Sequence, residues 1–144
     1  MGAVQLPEPD TAIFVRALEA AVLGYLIGFE RDLRGKVAGQ RTFALVAMGA
    51  ATFTALGIEL FAPGERVVQG IVQGIGFIGA GLIFRSKEGM VTGLTTAAAV
   101  WAVAGVGTVV GAGLYALGFG LAVLIVVILE IPRRSSNGPE PDDS

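Results

Sequence analysis

The stretch from Gly89 to Leu129, GMVTGLTTAAAVWAVAGVGTVVGAGLYALGFGLAVLIVVIL, contains 41 consecutive residues without a charge. As one helix it would be about 60 Å long, twice the ~30 Å hydrocarbon core of a bilayer. We therefore predict that it folds back at the small residues 111–113 and forms two membrane spans, near Leu94–Val110 and Leu114–Ile131. The alternative is a half-membrane re-entrant segment followed by a single span.

The rest of the chain is also strongly apolar, with a mean hydropathy of +0.73 and 15% charged residues, against about 25% in soluble domains. Within lipid, only helices and closed barrels satisfy their own backbone hydrogen bonds. The apolar runs are continuous rather than alternating, which favours helices. Three further spans are predicted at Ala12–Phe29, Thr42–Phe61 and Val67–Phe84. The predicted fold is therefore an all-α bundle of five transmembrane helices.

Basic residues predict how this bundle is oriented in the membrane. Five spans place eight of the ten basic residues on one side, namely Arg31, Arg34, Lys36, Arg41, Arg85, Lys87, Arg133 and Arg134. Because basic loops stay in the cytoplasm, we expect the N-terminus outside and the C-terminus inside. Residues 1–132 then form the transmembrane domain. Residues 133–144, rich in proline, serine and acid, are expected to be a disordered cytoplasmic tail.

Glycine is the next signal, since the chain has 22 glycines and small residues let membrane helices approach closely. In the third span glycines occupy two opposite faces, which predicts that this helix is central and packed on both sides. Its helix-packing residues are expected to be Gly70, Gly74, Gly76, Gly79 and Gly81. A remaining small-residue face would serve a homodimer; alternatively, these glycines pack a single chain only.

Several functional classes are excluded by composition. The chain has no cysteine and no histidine, so disulfides, thiol or imidazole catalysis and the usual zinc sites are absent. Serine occurs only at position 86 and in the tail, which leaves no nucleophile–base pair in the membrane. The G-x-G-x-x-G match at 74–79 lies inside an apolar run rather than between a strand and a helix, so it does not indicate nucleotide binding. We expect no enzyme activity, cofactor, metal site or nucleic-acid partner.

Polar residues gather where the predicted spans meet the cytoplasmic surface. This polar rim includes Glu30, Arg31, Gly39, Arg41, Thr42, Arg85, Gly93, Thr95 and Thr96. Helix N-termini attract anions, so the starts of the second and fourth spans could hold a phosphate or lipid headgroup beside Arg41 and Arg85. In the alternative interpretation, Thr42 and either Thr92 or Thr95 are N-caps, and the arginines pair with Glu30 or Asp32.

One acid, Glu19, lies well inside a predicted span. An intramembrane acid is a candidate for a proton or cation path, although Arg16 lies one turn away and is placed to pair with it. A magnesium pore would be expected to carry more carboxylates. A small channel or carrier, in which Glu19, Gln69, Gln73 and the threonines of the spans line a polar path, is therefore one functional hypothesis. A non-catalytic regulator that binds partner helices is the other.

Three segments resemble the motifs of the MgtC/SapB membrane proteins: GYLIGFERDLRGKVAGQRTFALVAMG at 24–49, GIGFIGAGLIFR at 74–85 and GLTTAAAVWAVAGVG at 93–107. The resemblance implies a bacterial inner-membrane protein of about five spans, tied to growth in low magnesium and, in pathogens, to virulence through intracellular survival. It also implies action by modulating other membrane proteins, the ATP synthase among them. The polar-rim residues would be the family's polar signature.

The chain departs from this pattern in two respects. Better-known virulence members continue into a soluble cytoplasmic domain, whereas here only a short tail is expected, so regulation through such a domain is not carried over. Some members have asparagine at the position of Thr95 and cysteine at that of Ala102, and a role that needs that amide or thiol does not transfer.

Overall fold

Five α-helices dominate the computed structural model, which describes residues 10–60, 64–85 and 89–132. They are α1 (Asp10–Leu33), α2 (Gln40–Leu60), α3 (Glu65–Gly81), α4 (Leu94–Gly111) and α5 (Tyr115–Glu130). Two short strands, β1 (Phe84–Arg85) and β2 (Val91–Thr92), pair antiparallel between α3 and α4. The prediction of an all-α bundle of five helices is confirmed, with boundaries that differ from the predicted spans by a few residues.

The lengths and compositions of the helices fit a membrane. Among the described residues, α1, α2 and α4 are each long and apolar enough to cross a bilayer, and α5 is a shorter apolar helix. The helix α3 has 17 residues and begins with a charged pair. The predicted tail, the first nine residues and positions 61–63 and 86–88 lie outside the described residues. The orientation of the termini stays a prediction.

The uncharged stretch folds back where the sequence predicts it. Gly113 has φ +81°, a left-handed conformation that glycine adopts without strain. Its N–H donates to the Val110 carbonyl at 2.9 Å, and the Leu114 N–H donates to the Val109 carbonyl at 2.9 Å. These two bonds form a Schellman motif that closes the end of α4. The stretch is therefore two helices joined by a turn, as predicted, and α4 is long and apolar enough to cross a bilayer rather than half of one.

The central helix is α4, not α3 as predicted. Among the described elements α4 contacts all four other helices, whereas α3 contacts α4 and α2. Many residues of α4 are themselves buried. Its side chains Val100, Val103, Val106 and Val110 are among the most completely buried of the described residues. The prediction for α3 was wrong because glycine shows that a backbone can be approached but not that another helix approaches it.

Glycine does bring α1, α2 and α4 together. A Cβ at Gly107 or Gly111 would overlap a backbone carbonyl oxygen of α2, and a Cβ at Gly24 would do the same. A Cβ at Gly28 would lie 2.6 Å from the Cα of Gln40. Dispersion contacts replace hydrophobic exclusion as the force between helices in lipid, so these backbone approaches stabilise the three-helix core.

The helix α3 lies against this core through one of its five predicted packing glycines. A Cβ at Gly79 would be 3.9 Å from the Ala97 carbonyl oxygen, an ordinary contact. At the other four positions, an added Cβ would meet no heavy atom of another described element within 4 Å: Gly70, Gly74, Gly76 and Gly81. Packing among the described helices therefore does not use these four. Contacts with another chain remain a prediction.

Candidate functional site: the charged end of the bundle

The predicted polar rim corresponds to one end of the bundle, which we call the charged end. It comprises the end of α1, the α1–α2 loop, the start of α2, the β1–β2 hairpin, the start of α4 and the end of α5. These elements meet because α1 and α2 form a hairpin and α4 lies beside both. The predicted rim residues are distributed among three local arrangements at this end.

The first arrangement is a buried ion cluster. Glu30 and Arg31 are 7% and 3% exposed. The Arg31 guanidinium binds the Glu30 carboxylate with two nitrogens, Nη2 donating to Oε1 at 2.6 Å and Nε to Oε2. Arg34 also reaches Glu30 Oε1, at 2.5 Å, and donates from Nη2 to Glu130 Oε2 of α5 at 2.7 Å. The cluster thus joins the ends of α1 and α5.

This cluster corrects the predicted ion pairs. Among the described residues, the partners of Glu30 are Arg31 and Arg34, rather than Arg41 or Arg85. A buried pair of this kind contributes little when intact but costs about 3–5 kcal/mol when one partner is removed. Glu30 and Arg31 therefore act as structural residues of the charged end. Their charges are already compensated within the chain.

The second arrangement closes the start of α2. The Gln40 backbone N–H donates to Asp32 Oδ2 at 3.1 Å, so the carboxylate compensates the positive end of the helix dipole. Gly39 lies directly beside it, because a Cβ there would overlap the Asp32 carboxylate. Thr42 is the third residue of α2. The prediction that Thr42 is the N-cap is therefore wrong, and Asp32 occupies the predicted anion site at this helix.

The third arrangement surrounds the start of α4. Gly93 precedes the helix with φ +87° and makes no side-chain cap, and a Cβ there would overlap the Leu82 carbonyl oxygen. The predicted caps Thr92 and Thr95 do not cap α4; the Thr92 hydroxyl instead donates to the Phe84 carbonyl across the hairpin, at 3.4 Å.

A cavity of about 240 Å³ opens at this helix start, and we call it the α4 cavity. It is lined by the first turn of α4, the β1–β2 hairpin and the α1–α2 loop, including Lys36, Gly93, Thr95 and Thr96. Thr96 is 5% exposed, whereas Thr95 and Lys36 are exposed. The contribution of Lys36 was not predicted from the sequence, although its place in a basic loop on the same predicted side as the start of α4 was a usable signal.

Two predicted anion-binding arginines lie outside this cavity. Arg41 is exposed in the first turn of α2, and Arg85 is exposed on β1, one residue after the lining residue Phe84. The structure therefore brings Gly93, Thr95 and Thr96 into the lining of one cavity, and the two arginines are not part of that lining.

Glu19 lies elsewhere, on the outer face of α1. It is exposed and lines an apolar groove of about 380 Å³ with Leu18, Val22 and Tyr115. Arg16 donates to the Tyr115 hydroxyl at 3.3 Å and to the Gly111 carbonyl at 3.2 Å, which ties α1 to the α4–α5 turn. Within the described ranges, no group of three acidic, histidine or cysteine side chains is arranged to hold a metal ion.

Comparisons with known proteins place most of the chain in one family. The model of the MgtC family matches residues 18–137. The chain is 42% identical to protein SrpB of Synechococcus elongatus, 40% identical to the putative magnesium transporter YhiD of Escherichia coli and 48% identical to protein MgtC of Brucella abortus. These alignments cover 82%, 84% and 79% of the chain, respectively.

The matched region is only part of these relatives. It spans 74% of SrpB, 61% of YhiD and 48% of the Brucella MgtC. No solved structure matches the chain. The family match covers more than half of the chain and includes all five helices, four of them completely. On this basis, the chain is a membrane protein that belongs to the MgtC family.

Proposed function

We propose that this chain is a non-catalytic protein of the bacterial inner membrane that modulates other membrane proteins during adaptation to low magnesium. The family match and the names of its relatives, which include a putative magnesium transporter, support the physiological setting. In a pathogen the same role would extend to intracellular survival. The ATP synthase, named by the family resemblance, is the first partner to test.

The observation that carries this proposal is the outer face of α3. Gly70 and Gly74 on this face have open space where a side chain would lie. They border an apolar groove of about 580 Å³ between α2 and α3. Small residues lining a groove let a further transmembrane helix approach closely. We assign this face to a helix of another membrane protein.

Two polar side chains on α3 favour such a partner over lipid. Gln69 and Gln73 are exposed, one turn apart, and neither forms a hydrogen bond with a described residue. Gln73 lies near the middle of α3, because at 1.5 Å per residue it is about 12 Å along the helix axis from Glu65, the first residue of the helix. An amide left in hydrocarbon is unfavourable, whereas a hydrogen bond across helices contributes about 0.6–2 kcal/mol.

Crosslinking from α3 tests this assignment. A photoreactive residue at position 73 is expected to capture a specific membrane protein in cells grown in low magnesium, and Gly74→Leu is expected to abolish the capture by filling the groove. Position 120 on α5 supplies the matched control, because Gly120 is also exposed with open space around it. Equal capture from both positions, or a crosslink only between two copies of the chain, would contradict the proposal.

The competing carrier hypothesis predicts ion movement by the purified protein. The described core cluster between α1, α2 and α4 consists of apolar side chains, mainly alanine and valine with Ile27 and Phe43, and Glu19 is exposed outside it. Proteoliposomes are therefore expected to move neither Mg²⁺ nor protons above background. Transport that is lost on Glu19→Gln would favour the carrier and count against the modulator.

The predicted orientation places the charged end in the cytoplasm. Because the chain has no cysteine, a single cysteine introduced at Lys36 or Arg66 reports its side without background. In intact cells, an impermeant thiol reagent is expected to label position 66 and not position 36. The reverse pattern would contradict the orientation.

A further inference from the structure

The chemistry of the α4 cavity indicates a ligand that nothing in the comparisons assigns. An 18-residue helix starts there, and the first N–H groups of a helix lack intrahelical acceptors and carry partial positive charge. Such a terminus favours anions, phosphate groups above all. A helix terminus alone does not make a site, and the side chains that share the cavity must also suit an anion.

Thr96 is the decisive side chain. It is 5% exposed and lines the cavity, yet its hydroxyl makes no hydrogen bond with a described residue. Thr52 and Thr108, by contrast, donate to carbonyls one turn earlier, each at 2.9 Å. The Thr96 hydroxyl is not sealed from the cavity, because among the described residues the fully buried and unpartnered hydroxyl is that of Thr54. It is therefore free to donate to a ligand that accepts a hydrogen bond in the α4 cavity.

Charge identifies the ligand as an anion. Lys36 lines the cavity and pairs with no described carboxylate. Among the described acids of the charged end, Glu30 is engaged by two arginines and Asp32 by the start of α2. Exposed Arg85 adds positive charge on β1. The cavity therefore offers N–H donors, a hydroxyl and an ammonium group, which together suit a phosphate group.

We propose that the α4 cavity binds a phosphate group, with Thr96 and the first N–H groups of α4 as donors and Lys36 as the counter-charge. At about 240 Å³, the cavity is below the ~300–1,000 Å³ of sites for drug-sized ligands, and this size suits a small anion. The phosphate group belongs either to a phospholipid headgroup or to free phosphate. The site is separate from the α3 face on which the proposed function depends.

Two binding measurements on the full chain distinguish these sources. Equilibrium dialysis in an uncharged detergent measures binding of inorganic phosphate. Native mass spectrometry from nanodiscs of phosphatidylglycerol and phosphatidylcholine measures retained phosphatidylglycerol. Saturable binding of either probe is expected, and Thr96→Val and Lys36→Gln should each weaken it at least about tenfold, since each removes a hydrogen bond or charge contact to an anion.

Matched variants separate loss of the site from loss of the fold. Thr108→Val removes a hydroxyl from the other end of α4, and Arg66→Gln removes an exposed cation outside the charged end; both should bind like the parent chain. Thr96→Ser keeps the hydroxyl and should also bind like the parent chain. Binding of phosphate alone assigns the site to the free ion, and binding of phosphatidylglycerol alone assigns it to the headgroup. Absence of saturable binding by both probes, or binding that survives either Thr96→Val or Lys36→Gln, would overturn the proposal.

Discussion

Replacing Gly107 by alanine is expected to separate α4 from α2. The added Cβ would overlap the Ala47 carbonyl oxygen and lie 2.9 Å from the Ala50 Cβ. Because the overlapped atom belongs to the backbone, no change of side-chain rotamer relieves the contact. The two helices must move apart, and dispersion contacts along their interface are lost.

Gly105 provides the matched control, because it lies in the same helix and an added Cβ there meets no heavy atom within 4 Å. Alanine is favoured over glycine inside a helix by about 0.5–1 kcal/mol, and this gain is common to both substitutions. Overpacking of a well-packed interior costs about 1–3 kcal/mol. We therefore expect Gly107→Ala to have a free energy of unfolding lower than that of Gly105→Ala by about 1–3 kcal/mol.

Reversible unfolding in mixed micelles, followed by circular dichroism over a denaturing-detergent titration, measures this difference. Gly105→Ala should match or slightly exceed the parent chain. Equal free energies of unfolding for the two variants would refute the assignment of α4 as the central helix in backbone contact with α2.

Three further substitutions test the charged end by the same unfolding measurement. Glu30→Gln should lower the free energy of unfolding by about 3–5 kcal/mol because it leaves a buried arginine unpaired, whereas Glu130→Gln, on an exposed pair, should cost at most about 1 kcal/mol; equal effects would contradict the burial of the first pair. Asp32→Ala should cost about 1 kcal/mol through loss of the α2 cap, and no change would show that the cap is not formed. Gly93→Ala should destabilise more than Gly89→Ala, since both glycines have positive φ but, of the two, only position 93 has backbone within reach of an added Cβ; the opposite order would exclude the close approach of Gly93 to Leu82, just after α3.

Most of the helical architecture was predictable because it depends on the length and hydropathy of uncharged runs, which are read directly along the chain. An uncharged run too long for one span must reverse, and the small residues at 111–113 are where a left-handed turn is least costly. These inferences succeed because lipid leaves the backbone few alternatives to a helix.

The arrangement of the charged end was less predictable. Threonines near the starts of α2 and α4 fit the preference of short polar residues for N-caps, but Asp32 reaches α2 from the preceding helix and Gly93 precedes α4 without a side chain. Glu30 and Arg31 are neighbours in sequence, yet their burial is decided by the packed bundle, and the third member of the cluster, Arg34, reaches Glu130 of α5. Contacts between distant segments decided each of these features.

The amino-acid sequence by itself determined the membrane environment, the five helices, the reversal between α4 and α5 and the family, because length, hydropathy and motif order are properties of the linear chain. Only the tertiary structure decided which helix is central and which polar groups are already satisfied. It placed α4 rather than α3 in the core and engaged Glu30 and Asp32 within the chain, while it left the α3 glycines and the α4 cavity open. The reason is physical: a small residue permits a contact and a polar residue permits a bond, but the packing of the whole bundle selects which are made.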